Sequence, residues 1–113
     1  MRHDHLKARF AELSTQLKKE TGHISNVSHI IRHPAYQEIA SWGEPAIHHM
    51  LLDMLDNGPE HWFWALTSIT GFNPITEDIA GHMQSMTDVW LVWGVANGYI
   101  TDTTVDKRYT KKR

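Results

Sequence analysis

The sequence predicts an all-α fold, and three observations support this prediction. Apolar residues recur at the i, i+3, i+4, i+7 spacing of a helical face in several stretches. Proline, glycine and asparagine fall between those stretches, at positions where helices begin or end. Alternating apolar and polar runs, which are typical of strands, are nearly absent. We therefore expect five or six helices packed into one compact domain around a central, HEAT-like αα-hairpin.

The central hairpin is predicted between residues 44 and 74. Pro45 suits the first turn of its first helix, whose apolar stripe comprises Ile47, Met50, Leu51, Met54 and Leu55. The turn follows, because Gly58 can take a left-handed conformation and Pro59 can open the second helix. The stripe of the second helix comprises Trp62, Ala65, Leu66 and Ile69. Neither helix can bury its stripe alone, so the flanking helices are expected to supply a further layer.

Three shorter patterns precede the hairpin. A first helix is predicted over residues 5–20, with Leu6, Phe10, Leu13 and Leu17 on one face. Ser25 or Asn26 can cap a short second helix that ends near residue 32. Pro34 starts a third helix, which Gly43 ends.

One helix is predicted after the hairpin, over residues 81–97, with Gly98 as its stop. Its inner stripe comprises Met83, Met86, Trp90, Trp93 and Gly94. Residues 1–100 are therefore predicted to form the domain, and the polar, basic residues 101–113 a flexible tail. The predicted core residues are Leu51, Leu55, Trp62, Leu66, Ile69, Trp90 and Trp93, and Trp64 is expected to be partly exposed.

Composition excludes several classes of protein. The 113 residues suit a single domain. The chain has no cysteine, so it can form neither a disulfide nor a thiolate zinc site. Its first ten residues, MRHDHLKARF, lack the apolar core of a signal peptide, and no apolar run could span a bilayer. We expect a cytoplasmic protein that does not contact a membrane.

The charges are distributed unevenly along the chain. Residues 33–106 contain ten Asp or Glu and no Lys or Arg, while six basic residues precede this stretch and five follow it. Such an acidic body should not bind nucleic acid tightly, because that binding depends on neutralising phosphates. Two interpretations are open: either the acids serve solubility alone, or they form a surface that meets a basic partner.

Four ordered motifs, HPAYQ, HWFWAL, ITGFNP and WLVWG, resemble a family of small uncharacterised bacterial and phage proteins. The resemblance covers about residues 10–99, and the hairpin also resembles a HEAT-type repeat. It implies a helical fold but adds little about function, although some members are encoded near toxin–antitoxin genes. Relatives carry Lys and Arg in the hairpin and last helix, and polar groups at the positions of Val92 and Val95, so this chain departs from them at its surface.

Catalytic, cofactor and metal sites are not expected. The chain lacks a cysteine nucleophile, a G-x-S-x-G motif and a glycine-rich phosphate loop. Tyr36, Glu38 and His61 could converge, but many small helical proteins offer such triples. Nine histidines are present, and structural roles are favoured for them: His33 and His61 are predicted to cap or hydrogen-bond helix ends.

A partner-binding surface is predicted instead. Its acidic part comprises Asp53, Asp56, Glu60 and Asp88, and its apolar part Leu91, Val92 and Val95. His49, Asp53 and Asp56 are expected on the outer side of the first hairpin helix. Leu91, Val92 and Val95 fall opposite or beside the inner stripe of the last helix, where they are either buried or available for contact.

These features predict a non-catalytic protein-interaction module. Its concrete form is an antitoxin-like or anti-defence inhibitor from a phage or mobile element that binds a basic, nucleic-acid-acting protein. A homodimer is a further possibility for the apolar strip. One alternative is a helical DNA-binding regulator that uses the basic N-terminal helix and tail. A second alternative is an enzyme or a histidine-based metal protein.

Overall fold

The computed structural model, which describes residues 2–23, 26–103 and 105, is all-α. No strand occurs in these residues, and six helices follow one another along the chain. The helices are α1 (Arg2–Thr21), α2 (Val27–Arg32), α3 (Pro34–Ser41), α4 (Glu44–Asn57), α5 (Phe63–Thr70) and α6 (Met83–Ala96). The predicted fold class is therefore confirmed.

Helix α4 occupies the centre of the fold. Helices α1, α5 and α6 all pack against it, α3 packs against α1 and α5, and α2 packs against α3. Its buried residues are Ala46, Ile47, Met50, Leu51, Asp53, Met54 and Leu55. This set includes the whole predicted stripe and extends beyond it, because helices cover α4 on several sides.

Three helix ends follow the predicted capping chemistry. The Asn26 side chain accepts a hydrogen bond from the Ser28 backbone N–H at 2.9 Å and caps α2. His33 caps α3, since its Nδ1 accepts from the Ala35 N–H at 3.0 Å. Gly71 ends α5 in the left-handed conformation, with φ 71° and ψ 15°.

Two predicted helix starts are wrong. Pro59 does not open α5, which begins only at Phe63. Gly58 has a positive φ of 94° but a ψ of 179°, so the chain leaves α4 in an extended direction and residues 58–62 form a loop. Helix α6 begins at Met83 and not at residue 81, because Gly81 has a φ of 89° and His82 is the N-cap.

The core contains most of the residues predicted for it. The side chains of Leu51, Leu55, Trp62, Leu66 and Trp90 are buried, while Ile69 and Trp93 are half-buried against them. Trp64 is 45% exposed, as predicted. Helices α4 and α6 approach closely at Gly94, where an added Cβ would lie 2.6 Å from Leu51 Cδ1.

The C-terminal tail prediction falls mostly on residues 104 and 106–113, which lie outside the described residues. Within the described part of the tail, the Val105 N–H donates to the Thr101 carbonyl at 3.1 Å, and the Val105 side chain packs against the core. Among the helices of the described residues, none is both long enough and apolar enough to cross a membrane.

Candidate binding sites

Asp53 is not part of a free acidic surface, so its predicted position on the outer side of α4 is wrong. Its side chain is only 5% exposed. Oδ1 accepts from Lys18 Nζ and from Asn57 Nδ2, each at 2.8 Å, and Oδ2 accepts from Trp62 Nε1 at 2.9 Å. The carboxylate thus joins α1, α4 and the loop before α5. The predicted outer side of α4 is covered, because α1 packs there.

The same packing accounts for His49. Its ring stacks on the Phe10 ring of α1, with centroids 5.6 Å apart. His49 is therefore half-buried and does not lie on an open outer face as predicted. Asp56, one turn after Asp53, is exposed. Periodicity within α4 could not identify this difference, since it depends on the placement of α1.

An apolar groove lies along α6 and the chain segment that follows it. We call it the α6 groove; its volume is about 470 Å³, and it is lined by Asp88, Leu91, Val92, Val95, Ala96, Asp102 and Val105. The five lining residues of α6 are spaced i, i+3, i+4, i+7 and i+8, so they share one helical face. The structure therefore brings together four residues that were predicted to form a partner surface.

Those four residues differ in exposure. Leu91 is only 3% exposed and belongs to the hydrophobic core, so its interpretation as an open contact residue is wrong. Val95 is half-buried. Val92 is 69% exposed, the largest value among the exposed large hydrophobic side chains of the described residues. Asp88 is exposed and accepts from Gln84 Nε2 at 2.8 Å.

Glu60 lies in a different cavity, so the four predicted acidic residues do not form one face. This cavity, which we call the polar pocket, has a volume of about 310 Å³ and lies between the end of α1 and the loop 58–62. Apolar side chains of α1 and α2, including Leu17 and Ile30, line one part of it. Lys18, Glu60 and His61 supply its ionisable side chains, and Tyr36 its phenol.

Most polar groups of the polar pocket already have partners. The Tyr36 hydroxyl donates to the His61 carbonyl at 2.7 Å and accepts from the Ala65 N–H at 3.2 Å. Burial raises the pKa of the Tyr36 phenol far above its ordinary value, so it stays protonated. Lys18 is bound to Asp53, and Thr21 Oγ1 donates to the Leu17 carbonyl at 2.6 Å.

Glu60 and His61 differ from these groups, because partial burial is the main cause of the pKa shift of each side chain. Desolvation raises the pKa of Glu60, against a smaller lowering by Lys18, and Asp53 raises it further. Desolvation also lowers the pKa of His61, so its imidazole is neutral near pH 7. The ring of His61 does not cap α5, contrary to prediction: the N-cap is Trp62, and no side chain bonds there.

Among the described residues, no group of three or more His, Asp or Glu side chains is placed to hold a metal ion. His33 Nε2 lies 2.7 Å from Glu20 Oε1, and because Nδ1 accepts the cap bond, Nε2 carries the hydrogen. His48 Nδ1 donates to the Tyr99 carbonyl at 2.7 Å. Both rings therefore form hydrogen bonds that link distant parts of the chain.

Two basic residues of α1 are also engaged within the protein. The Arg9 guanidinium binds Glu38 of α3 through two hydrogen bonds of 2.9 Å, and Lys18 binds Asp53 of α4. Glu38 is thus paired with α1 and does not join Tyr36 and His61. The positive charge of α1 is partly neutralised by the acidic body.

Comparisons with protein-family models, with curated proteins and with solved structures find no match to this chain. The family resemblance carried by the four motifs therefore stays a prediction. The functional proposal depends on the geometry of the α6 groove, and the polar pocket is considered separately.

Proposed function

We propose that the protein is a non-catalytic interaction module that binds a basic segment of another protein in the α6 groove. The observation that carries this proposal is the exposure of Val92, at 69%, in the wall of an apolar groove. Burying a valine side chain contributes about 1.5 kcal/mol. Leu91 and Val95 give that contact a packed floor, since both are partly or fully buried in the protein.

The charges of the groove select the kind of segment that fits. Asp88 and Asp102 line it together with the valines, and residues 33–106 contain no Lys or Arg. A segment with an apolar side chain flanked by Lys or Arg would complement both features. Opposite charge speeds association, while burial of the apolar side chain slows dissociation.

The class of partner follows from the same complementarity. Proteins that act on nucleic acids carry basic surfaces, because they neutralise phosphates. A small acidic protein that covers such a surface would act as an inhibitor. In its concrete form the protein is a cytoplasmic, antitoxin-like or anti-defence inhibitor encoded by a phage or mobile element.

A random peptide library displayed on phage tests the groove directly. We expect selection on the immobilised protein to enrich peptides with an apolar residue flanked by Lys or Arg. Synthetic versions of these peptides should bind the wild type. The Val92→Lys substitution should weaken their binding at least about tenfold, since a buried methyl contact is replaced by a charge that repels the basic peptide. Val92→Lys should stay folded, because the Val92 side chain is 69% exposed and does not belong to the core.

Val27→Lys is the matched control, because Val27 is also exposed, at 40%, but lies on α2. It should leave peptide binding unchanged. Selection of acidic peptides, or equal binding by the wild type and Val92→Lys, contradicts the proposal. Sedimentation of the free protein adds a second test: a wild-type dimer that Val92→Lys converts to a monomer would assign the groove to a second copy of this chain instead.

A further inference from the structure

The polar pocket is separate from the α6 groove and contains one carboxylate, that of Glu60, to which no residue of the described ranges donates a hydrogen bond. Asp53 accepts three hydrogen bonds, and the hydroxyls of Tyr36 and Thr21 are both engaged. Within the described part of the chain, no hydrogen bond or ion pair holds the half-buried Glu60 carboxylate. A carboxylate that is partly removed from water without gaining a donor raises the free energy of the folded state.

The charges around the pocket also leave an excess of one negative charge. Lys18 and Asp53 neutralise each other at 2.8 Å. The Glu60 charge therefore has no counter-ion of its own, although Lys18 is close enough to act on it through space. One positive charge in the cavity would balance it.

The other groups that line the pocket indicate the chemistry and the size of a suitable ligand. His61 lines the cavity beside Glu60, and the neutral imidazole offers one further acceptor nitrogen. Leu17 and Ile30 supply apolar lining that an aliphatic chain could contact. The volume of about 310 Å³ accommodates a group of this size.

We infer that the polar pocket binds an alkylammonium or alkylguanidinium group, with Glu60 as counter-ion and His61 as second acceptor. The cationic head bears several N–H donors, so it can serve both acceptors at once, and the alkyl chain packs on Leu17 and Ile30. Such a group occurs in free small amines and in the Lys and Arg side chains of proteins.

Titration with n-butylguanidinium, followed by calorimetry and by the indole N–H resonance of Trp62, tests this inference. Trp62 is a suitable reporter because it lines the pocket and is the only tryptophan bound to Asp53. We expect a dissociation constant below about 1 mM. The neutral isostere n-butylurea keeps the shape and the N–H donors but lacks the charge, and it should bind at least about tenfold more weakly.

Glu60→Gln supplies the protein side of the test, and Glu77→Gln is its matched control. Glu77 is exposed in the loop between α5 and α6, so the control removes the same charge elsewhere. We expect Glu60→Gln to weaken n-butylguanidinium binding at least about tenfold and Glu77→Gln to leave it unchanged. Equal binding by the wild type and Glu60→Gln, or no binding at about ten times the expected constant, overturns the inference.

Two further measurements assign the source of the ligand and separate this site from the groove. Nα-acetyl-arginine N-methylamide should bind as well as n-butylguanidinium if the pocket takes an Arg side chain. It should bind more weakly if the pocket takes a free small molecule. Val92→Lys should leave both titrations unchanged, so failure of the groove proposal would not affect this one.

Discussion

At the residue scale, Asp53 connects three parts of the chain through one carboxylate. Replacing it with Ala removes the acceptor for Lys18, Asn57 and Trp62. The Trp62 indole N–H would be left buried without a partner, while Lys18, being partly exposed, could turn to water. We expect Asp53→Ala to lower the free energy of unfolding by about 3 kcal/mol, measured by urea denaturation.

Asp56→Ala is the control for that prediction, since Asp56 is an exposed acid of the same helix. It should change stability by no more than about 0.5 kcal/mol. Equal effects of the two substitutions would mean that the bonds of Asp53 contribute nothing beyond removal of a charge. Charge reversal at Asp53 is not a probe of partner binding, because it would place a second cation beside Lys18.

Glu60 is expected to lower stability at neutral pH. Its folded-state pKa lies above its ordinary value, so the folded protein holds the proton more tightly than the unfolded chain does. Stability therefore falls as the pH rises from the unfolded pKa, near 4.5, through the folded pKa. Glu60→Gln should remove this loss and raise the thermal midpoint at pH 7, but not at pH values below the unfolded pKa.

Glu77→Gln again serves as the control, because Glu77 is exposed and its replacement should leave the thermal midpoint at pH 7 unchanged. A Glu60→Gln protein that is less stable than the wild type at pH 7 would contradict the assignment of Glu60 as a desolvated carboxylate. Increased stability together with lost ligand binding would identify Glu60 as a residue kept for binding at a cost to the fold.

Only part of this residue-level detail could be predicted from the sequence. The partial exposure of Trp64 follows from its position off the apolar stripe, whereas the sequence left open whether Val92 is buried or exposed. The burial of Asp53 does not, because an acid outside a stripe is normally solvated and its partner Lys18 lies 35 positions away. Leu91 is similar. Periodicity did not decide whether its side of α6 is buried or exposed, and only the packing of α6 against the rest of the fold buries it.

At the scale of elements, the contact of α4 with α6 depends on Gly94. A Cβ at this position would lie 2.6 Å from Leu51 Cδ1 and 3.3 Å from Ile100 Cγ1. Gly94→Ala should therefore cost about 1–3 kcal/mol through overpacking, reduced by about 1 kcal/mol from the higher helix propensity of alanine. We expect a net loss in urea denaturation, because Leu51 is fully buried and has little room to move.

A double-mutant cycle isolates the cause of that loss. Leu51→Val removes the Cδ1 carbon that the new Cβ would approach, at a cost of about 1 kcal/mol on its own. The pair Gly94→Ala and Leu51→Val should cost less than the sum of the two single changes, since each relieves the other. If the two changes in the free energy of unfolding were strictly additive, there would be no steric conflict between the two positions.

Helix ends were predicted well where a side chain or a left-handed glycine defines them. Asn26, His33 and Gly71 are examples, because each acts on residues within the next turn. The start of α5 was missed because the sequence does not reveal the ψ of Gly58, which sends residues 58–62 into a loop. That loop supplies Glu60 and His61, so the polar pocket could not be predicted either.

At the scale of the whole molecule, the separation of charge along the sequence is only partly a separation in space. Arg9 and Lys18 of α1 are bound to Glu38 of α3 and Asp53 of α4. The basic N-terminal helix is thereby joined to the acidic body. The groove and the polar pocket both contain carboxylates, and each is expected to attract a cation.

The charge distribution leads to a prediction about nucleic acid. Duplex binding requires several free cations on one face, because each neutralised phosphate contributes to affinity. Arg9 and Lys18 are engaged within the fold, residues 33–106 contain no Lys or Arg, and five of the eleven basic residues lie in the last seven positions. We therefore expect only weak, non-specific association with duplex DNA, which disappears as salt is raised from about 50 to 200 mM.

Fluorescence anisotropy at both salt concentrations measures this association. A chain ending at residue 106 should lose the low-salt association while keeping its fold. Sub-micromolar, sequence-selective binding at physiological salt would instead favour a DNA-binding regulator, and retention of that binding without the tail would place the nucleic-acid site on α1.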